Sequence, residues 1–220
     1  MPKGSEELTQ ARKKEIINAC AKLYETRNFK DITLKDIGAE TSFTRTLIYY
    51  YFHTKEEIFL ALLQREYEAW IDDLTGIEKG HDQMSADQFA DELTHSLERR
   101  SRLLKLMSMN HYDMEANSRM ENLVAFKTAY GDSMQAVNRC LEKFFPRMTK
   151  DGRQEFIFAF FPFMFGIYPY TVVTEKQREA LERSRTNYVF LSIYEITRSM
   201  AAKLLRGLSE ENTFHTKTER

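Results

Sequence analysis

The stretch Ile32–Leu63, ITLKDIGAETSFTRTLIYYYFHTKEEIFLALL, decides the fold. Thr33 followed by Asp36 three residues later has the spacing of a capped helix start, so a helix is expected from Leu34 to about Glu40, with Leu34, Ile37 and Gly38 turned inward. Thr41, Ser42 and Phe43 interrupt the helical phase, and Thr44 offers a second N-cap before Arg45. So short a break makes the two helices cross. In the second helix Leu47, Ile48 and Tyr51 or Phe52 fall on the core side, leaving Arg45, Thr46, Tyr49 and Tyr50 opposite. Thr54 with Glu57 is a Thr-x-x-Glu capping box that opens a third helix, whose first-turn N–H groups form a site suited to a phosphate.

A short amphipathic helix carried this way, Thr44–Tyr51, has the geometry needed to enter a DNA major groove. Arg45, near its N-terminus, can pair with guanine O6 and N7 or with a phosphate. Tyr49 can donate its phenol to a phosphate oxygen while its ring packs on the scaffold; the plainer reading of Tyr49 and Tyr50 is a pair of half-buried aromatics. Lys55 and His53 flank the third helix, where Lys55 adds positive charge and is expected at a phosphate. Thr33 and Thr44 can cap their helices, and their hydroxyls can also meet the DNA backbone. The expected DNA-contacting set is Thr33, Thr44, Arg45, Thr46, Tyr49, Tyr50, His53 and Lys55.

Thr33–Leu62 resembles the helix-turn-helix of the TetR family of transcriptional regulators. The resemblance rests on Ile37, Arg45, Ile48, Tyr49, Tyr51, Phe52, Lys55, Glu56 and Ile58, and Ile16–Phe29 resembles the helix that precedes that motif. Beyond this first quarter the likeness is one of length and helical texture. It implies an all-α chain, with a three-helix DNA-binding head at residues 1–54 joined to a helical ligand-binding and dimerisation domain at 55–207, then a polar tail at 208–220. Three positions depart from the family pattern. Ser42 stands where Gly is usual, and a positive φ there would cost about 1 kcal/mol. Thr41 replaces a usual Ala, and Thr46 a small residue in the recognition helix.

The formal net charge of −1 excludes a polybasic, histone-like mode of binding. Residues 1–55 nevertheless hold ten Lys and Arg against seven Asp and Glu, an excess of +3 that leaves −4 for the rest. The basic part carries the motif, which suits salt-sensitive binding at a defined site. Eight Gly and four Pro in 220 residues point to an all-helical chain. Cys20 and Cys140 fit a reduced, cytoplasmic protein. The N-terminal MPKGSEELTQARKK has no apolar run and reads as a frayed arm.

The third helix is expected to run through Trp70 to about Leu74, closed by Gly76 and Gly80. Ser85 with Gln88 opens another, with Ala86, Phe89, Leu93 and Leu97 inward; a short segment Leu103–Asn110 follows. A long helix with Leu123, Tyr130, Met134, Val137 and Leu141 on one face then ends at Phe144-Phe145-Pro146. Phe156–Thr174 carries no charge over nineteen residues. That permits an alternative reading as a membrane-associated helical interaction protein. Pro162, Gly166, Pro169 and the lack of a second such run argue against a membrane partner. The better fit is a helix buried on one face by its own domain and on another by a second copy. A closing helix with the stripes Val189, Ile193, Ile196, Met200, Leu204 and Phe190, Tyr194, Ala201, Leu205 supports a four-helix homodimer interface, as the resemblance also implies.

A homodimer reads a palindromic double-stranded DNA operator with recognition helices about 34–36 Å apart. A small hydrophobic or aromatic effector in the body could alter that separation and release the operator, which makes a ligand-responsive repressor the expected function. Met107, Asn110, Phe126, Tyr130, Phe161, Met164, Phe165 and Tyr168 are candidate lining residues, each of which is also a reasonable core residue. Glu92-x-x-His95 and Glu78-x-x-His81 have di-iron spacing, but the first lies off its helix's apolar stripe and the second encloses Gly80. No metal, cofactor or catalysis is expected.

Overall fold

The computed structural model describes residues 3–109 and 111–214. Among these the regular structure is helical: α1 Lys3–Thr26, α2 Leu34–Ala39, α3 Arg45–Tyr51, α4 Lys55–Gly80, α5 Ala86–Glu98, α6 Ser101–Met107, α7 His111–Ala116, α8 Met120–Phe144, α9 Lys150–Thr171, α10 Glu175–Arg183 and α11 Ile193–Phe214. They fall into two compact units. The first is Met1–Glu66 with Asn110–Tyr130; the second is Tyr67–Met109 with Gly131–Arg220.

In the first unit Ile16, Cys20 and Tyr24 of α1, Ile32 and Ile37 around α2, Ile48 of α3 and Ile58, Phe59, Leu62 and Leu63 of α4 are buried together. Phe59 is gripped edge-on by Tyr24 and Phe29, at ring separations of 5.2 and 4.8 Å, which fixes the start of α4 beneath the two shorter helices. The capping box at Thr33 is formed in both directions: the Asp36 N–H donates to the Thr33 hydroxyl and the Thr33 N–H to the Asp36 carboxylate. The expected frayed arm is absent, because α1 continues back to Lys3. Nothing in Lys3–Lys14 breaks a helix except Gly4, whose cost of about 1 kcal/mol a long helix tolerates.

In the second unit α11 packs mainly on α5 and α9, and α6 on α9. Trp70, Phe89, Leu93, Leu97, Leu103, Leu104, Phe156, Phe160, Phe161 and Met164 make its core. The Trp70 indole N–H donates to Ser96 Oγ at 2.9 Å, and the Trp70 ring lies 5.8 Å from that of Phe161. Arg100 grips Asp73 with two hydrogen bonds of 2.8 and 2.9 Å. Cys140 is buried with its thiol toward the Leu74 carbonyl, and burial pushes its pKa up to about 12.

Three expectations for this part of the chain need correction. The third helix runs through Gly76 to Gly80 instead of stopping near Leu74, since buried Ile77 anchors the extra turn. The closing helix starts only at Ile193: the Ser192 hydroxyl accepts from the Glu195 N–H while the Glu195 carboxylate accepts from the Ser192 N–H, and this reciprocal cap leaves Val189 and Phe190 outside, exposed. Between α9 and α11 lies α10, opened by the Thr174–Gln177 capping box. The apolar segment is the second part of α9, which begins at Lys150 under a Thr149 cap. Among the described residues no single helix is long and apolar enough to cross a membrane.

Candidate nucleic-acid interface

Helix α3 has seven residues, too few to hold itself together in water, so its shape must come from its neighbours. Ile48 and Phe52 are buried beneath it while Thr46, Tyr49 and Tyr50 face out, Tyr49 at 41% and Tyr50 at 74% exposure. The Tyr50 ring meets that of Tyr51 edge-on at 5.2 Å. Thr44 is the N-cap through its backbone, its carbonyl accepting from the Leu47 N–H, and its exposed hydroxyl makes no cap bond. The backbone of Arg45 opens α3; its side chain lies outside the described residues.

The turn between α2 and α3 takes a form the sequence pattern did not suggest. Among the described residues Arg185 alone outside glycine has positive φ, so Ser42 carries no left-handed strain. Its N–H donates to the Glu15 carboxylate at 2.5 Å, Arg12 donates to its hydroxyl at 3.2 Å, and the Arg12 guanidinium sits 4.6 Å from the Phe43 ring centroid. Glu15 is held below its ordinary pKa first by the Ser42 backbone bond. Side chains of α1 thus replace the glycine that the turn lacks. Thr41 closes the turn locally, its hydroxyl donating to the Gly38 carbonyl at 2.9 Å.

Two of the expected DNA contacts are committed elsewhere. Lys55 Nζ donates to the carbonyls of Phe29 and Ile32, at 2.8 and 3.1 Å, and lies 4.1 Å from the Phe29 ring centroid. In the expected scheme this ammonium meets a phosphate; in the structure it sits at the 3-10 turn Phe29–Asp31 and its C-cap Ile32, whose N–H also donates to the Phe29 carbonyl. The Thr33 hydroxyl is taken up by Asp36, to which it donates at 2.5 Å. His53 is exposed beside them. We expect Lys55→Ala to lower stability by about 1–2 kcal/mol in chemical denaturation, because the Ile32 carbonyl loses the ammonium and the Phe29 carbonyl keeps only the Ile32 N–H.

The start of α4 holds the residue that sequence reasoning missed. The Thr54 hydroxyl accepts from the Glu57 N–H at 3.2 Å and donates to the Asn117 carbonyl at 3.0 Å. Glu57 does not return the capping bond to Thr54. Its carboxylate, at 0% exposure, accepts from the His53 N–H at 2.8 Å, from Arg119 Nε at 2.7 Å and Nη2 at 2.9 Å, and from the Arg119 N–H at 3.0 Å. Arg119 Nη2 also donates to the Tyr51 carbonyl at 2.9 Å. The carboxylate thus takes up the His53 N–H, two residues ahead of the first turn of α4.

Burial pushes the Glu57 carboxyl up, but the hydrogen bonds from Arg119 and His53 and the Arg119 charge pull it down further, to about 2. Because that lies below its ordinary value, the pair contributes its full stability above pH ~4.5 and loses it as pH falls toward 2. The whole contribution is of order 3 kcal/mol. Acid denaturation of the parent and Glu57→Gln should give stability differences that are constant near neutrality and narrow below pH ~4.5.

Of the candidate effector residues, Met107, Phe161 and Met164 are buried and Phe165 and Tyr168 half-buried in the second unit. Phe126 and Tyr130 belong to the first, with ring centroids 6.4 Å apart. Asn110 lies outside the described residues. Burial raises the pKa of the Tyr130 and Tyr168 phenols. The C-terminal end of α9, α10 and Tyr188 surround an open, mainly apolar groove of about 500 Å³ lined by Pro169, Tyr170, Val173, Ala180 and Leu181. None of these stood in the expected set.

A short outward-facing helix set across a second and braced by a third defines a helix-turn-helix DNA-binding protein of the all-helical class. The family model of bacterial regulatory proteins of the tetR family matches residues 16–62, and that of the tetracyclin repressor-like C-terminal domain matches residues 64–212. The chain belongs to the TetR family of transcriptional regulators. Homodimers and ligand binding are typical of that family, whose members are typically non-enzymatic. The chain is 31% identical over 101 residues to YfiR of Bacillus subtilis (strain 168), an uncharacterised HTH-type transcriptional regulator; the match spans 44% of this chain and about half, 47%, of that relative. The fold is similar to those of the fatty acid degradation regulator FadR from Bacillus halodurans and the MbdR regulator from Azoarcus sp. CIB. FadR aligns with TM-score 0.56 and 13% identity over 89% of this chain and 98% of that one; MbdR with 0.52 and 16% over 89% and 97%.

Proposed function

We propose that the chain is a ligand-responsive, homodimeric repressor that reads a palindromic operator through α3. The observation that carries this is the division of α3 into a buried side, Ile48 with Phe52, and an outward side of Thr46, Tyr49 and Tyr50. Thr44, Arg45 and His53 complete the contacting set, while Lys55 and Thr33 support it from behind.

Homodimerisation is supported by an apolar stripe that one chain leaves uncovered on α9. Phe158 is 62% exposed, and Pro162, Phe165 and Pro169 follow it on the same side, opposite buried Phe156, Phe160, Met164 and Ile167. Ile196, Met200 and Leu204 on α11 are half-buried and extend it. The effector is a hydrophobic or aromatic small molecule, as the Met and aromatic content around Met107, Phe161, Met164, Phe165 and Tyr168 supports.

Duplexes selected by the parent from a random library, then footprinted, test this reading. The expected result is a two-fold symmetric site bound by a protein that sediments as a dimer. Failure to enrich any sequence, or binding as a monomer, would overturn it.

A further inference from the structure

We propose that Arg119 is the positioning residue for the DNA-reading helix, holding the C-terminal end of α3 in place from a segment more than sixty residues away in sequence. The inference rests on the reading of α3 as the helix that contacts DNA, and it names a regulator of that site within the same compact unit.

Helix α3 is poorly secured at its ends. Its N-terminus has no side-chain cap bond, and its last carbonyls have no partners within the helix. The Phe52 N–H satisfies Ile48, and Arg119 Nη2 satisfies Tyr51. A cation at a helix C-terminus is also favoured by the helix dipole. The same guanidinium presents Nε and Nη2 to the two oxygens of buried Glu57, so a planar fork is anchored on α4 while one of its nitrogens reaches α3. A second strand of contact lies alongside, the Thr54 hydroxyl donating to the Asn117 carbonyl. Arg119 immediately precedes α8, its carbonyl accepting from the N–H groups of Asn122 and Leu123. The backbone of α8 thus leads directly to the residue whose guanidinium is hydrogen-bonded to the Tyr51 carbonyl.

Lysine at position 119 retains the charge but cannot grip Glu57 through two nitrogens while also reaching Tyr51. Glutamine keeps much of the length and loses the charge. Hydrogen exchange of the full chain, resolved to the amides of residues 47–52 and to a control at 16–24, reads the effect without DNA. Arg119→Gln is expected to lower protection at 47–52 at least tenfold more than at the control, and Arg119→Lys should recover part of that difference. With a duplex selected from a random library by the parent, Arg119→Gln should bind about 10–100-fold more weakly at an unchanged dimer fraction. Equal loss of protection at both segments would make Arg119 merely structural and overturn the proposal, as would parental protection at 47–52. If the parent selects no duplex, the reading of α3 fails, and the exchange experiment still decides whether Arg119 positions the helix.

Discussion

Thr46→Glu is expected to weaken operator binding by at least about 100-fold, close to 3 kcal/mol, with no measurable loss of folding stability. Thr46 is exposed in the middle of α3 beside Tyr49 and Tyr50, so a carboxylate there is solvated in the free protein. Against a duplex the same group faces phosphates that carry one negative charge per roughly 1.7 Å of helix axis, and close like charges cost several kcal/mol. The loss should be largest at low salt and shrink as screening grows. Thr46→Ala should stay within a few-fold of the parent, and Tyr49→Phe, which removes one donor to a phosphate, should cost about 1 kcal/mol at every operator sequence. Fluorescence anisotropy across a salt series separates the three. A Thr46→Glu variant with parental affinity would place the DNA surface somewhere other than α3.

The second large effect lies in the other unit. Trp70→Ala should lower unfolding free energy by about 3–5 kcal/mol, the range for emptying a buried aromatic site. The Trp70 side chain is fully enclosed against Phe161, and its N–H is held by Ser96, whose own hydroxyl donates to the Leu93 carbonyl. Trp70→Phe keeps most of the volume and loses the hydrogen bond, so about 1–2 kcal/mol is expected. Trp70 is the single tryptophan, so its emission reports unfolding of the parent, whereas the variants must be followed by circular dichroism. Equal stability of parent and Trp70→Ala would contradict the packing described for α4, α5 and α9.

What could be read from the chain beforehand was local. Thr33 with Asp36 and Ser85 with Gln88 announce helix starts that the structure contains, because a cap is an interaction across three residues. The outward set on α3 was legible for the same reason: Ile48 and Phe52 keep helical phase, and Thr46, Tyr49 and Tyr50 fall off that side. The partners that Lys55 takes within the chain were not legible, because the Phe29 and Ile32 carbonyls are backbone atoms that carry no sequence signal. Arg119 was invisible because Glu57 is 62 residues away and Tyr51 68. One clue was available. Glu57 lies beside Ile58 and one turn before Leu60 and Ala61, and a carboxylate in an inward phase requires a cation from elsewhere in the chain. The late start of α11 was also written locally, in Ser192 and Glu195, but the apolar run at Val189–Leu191 suggested a longer helix.

The buried Glu57 carboxylate sets a rule for anyone transplanting this head onto another regulator. A graft cut after Leu63, where the N-terminal family match has ended, would carry the acid without its guanidinium and without the segment that brings it. The head then loses the contacts this segment makes to Glu57, to the Tyr51 carbonyl and to the Thr54 hydroxyl. The portable module is discontinuous: it needs the segment around Arg119 as a second piece, and a chimera that supplies both pieces should fold where the contiguous one does not.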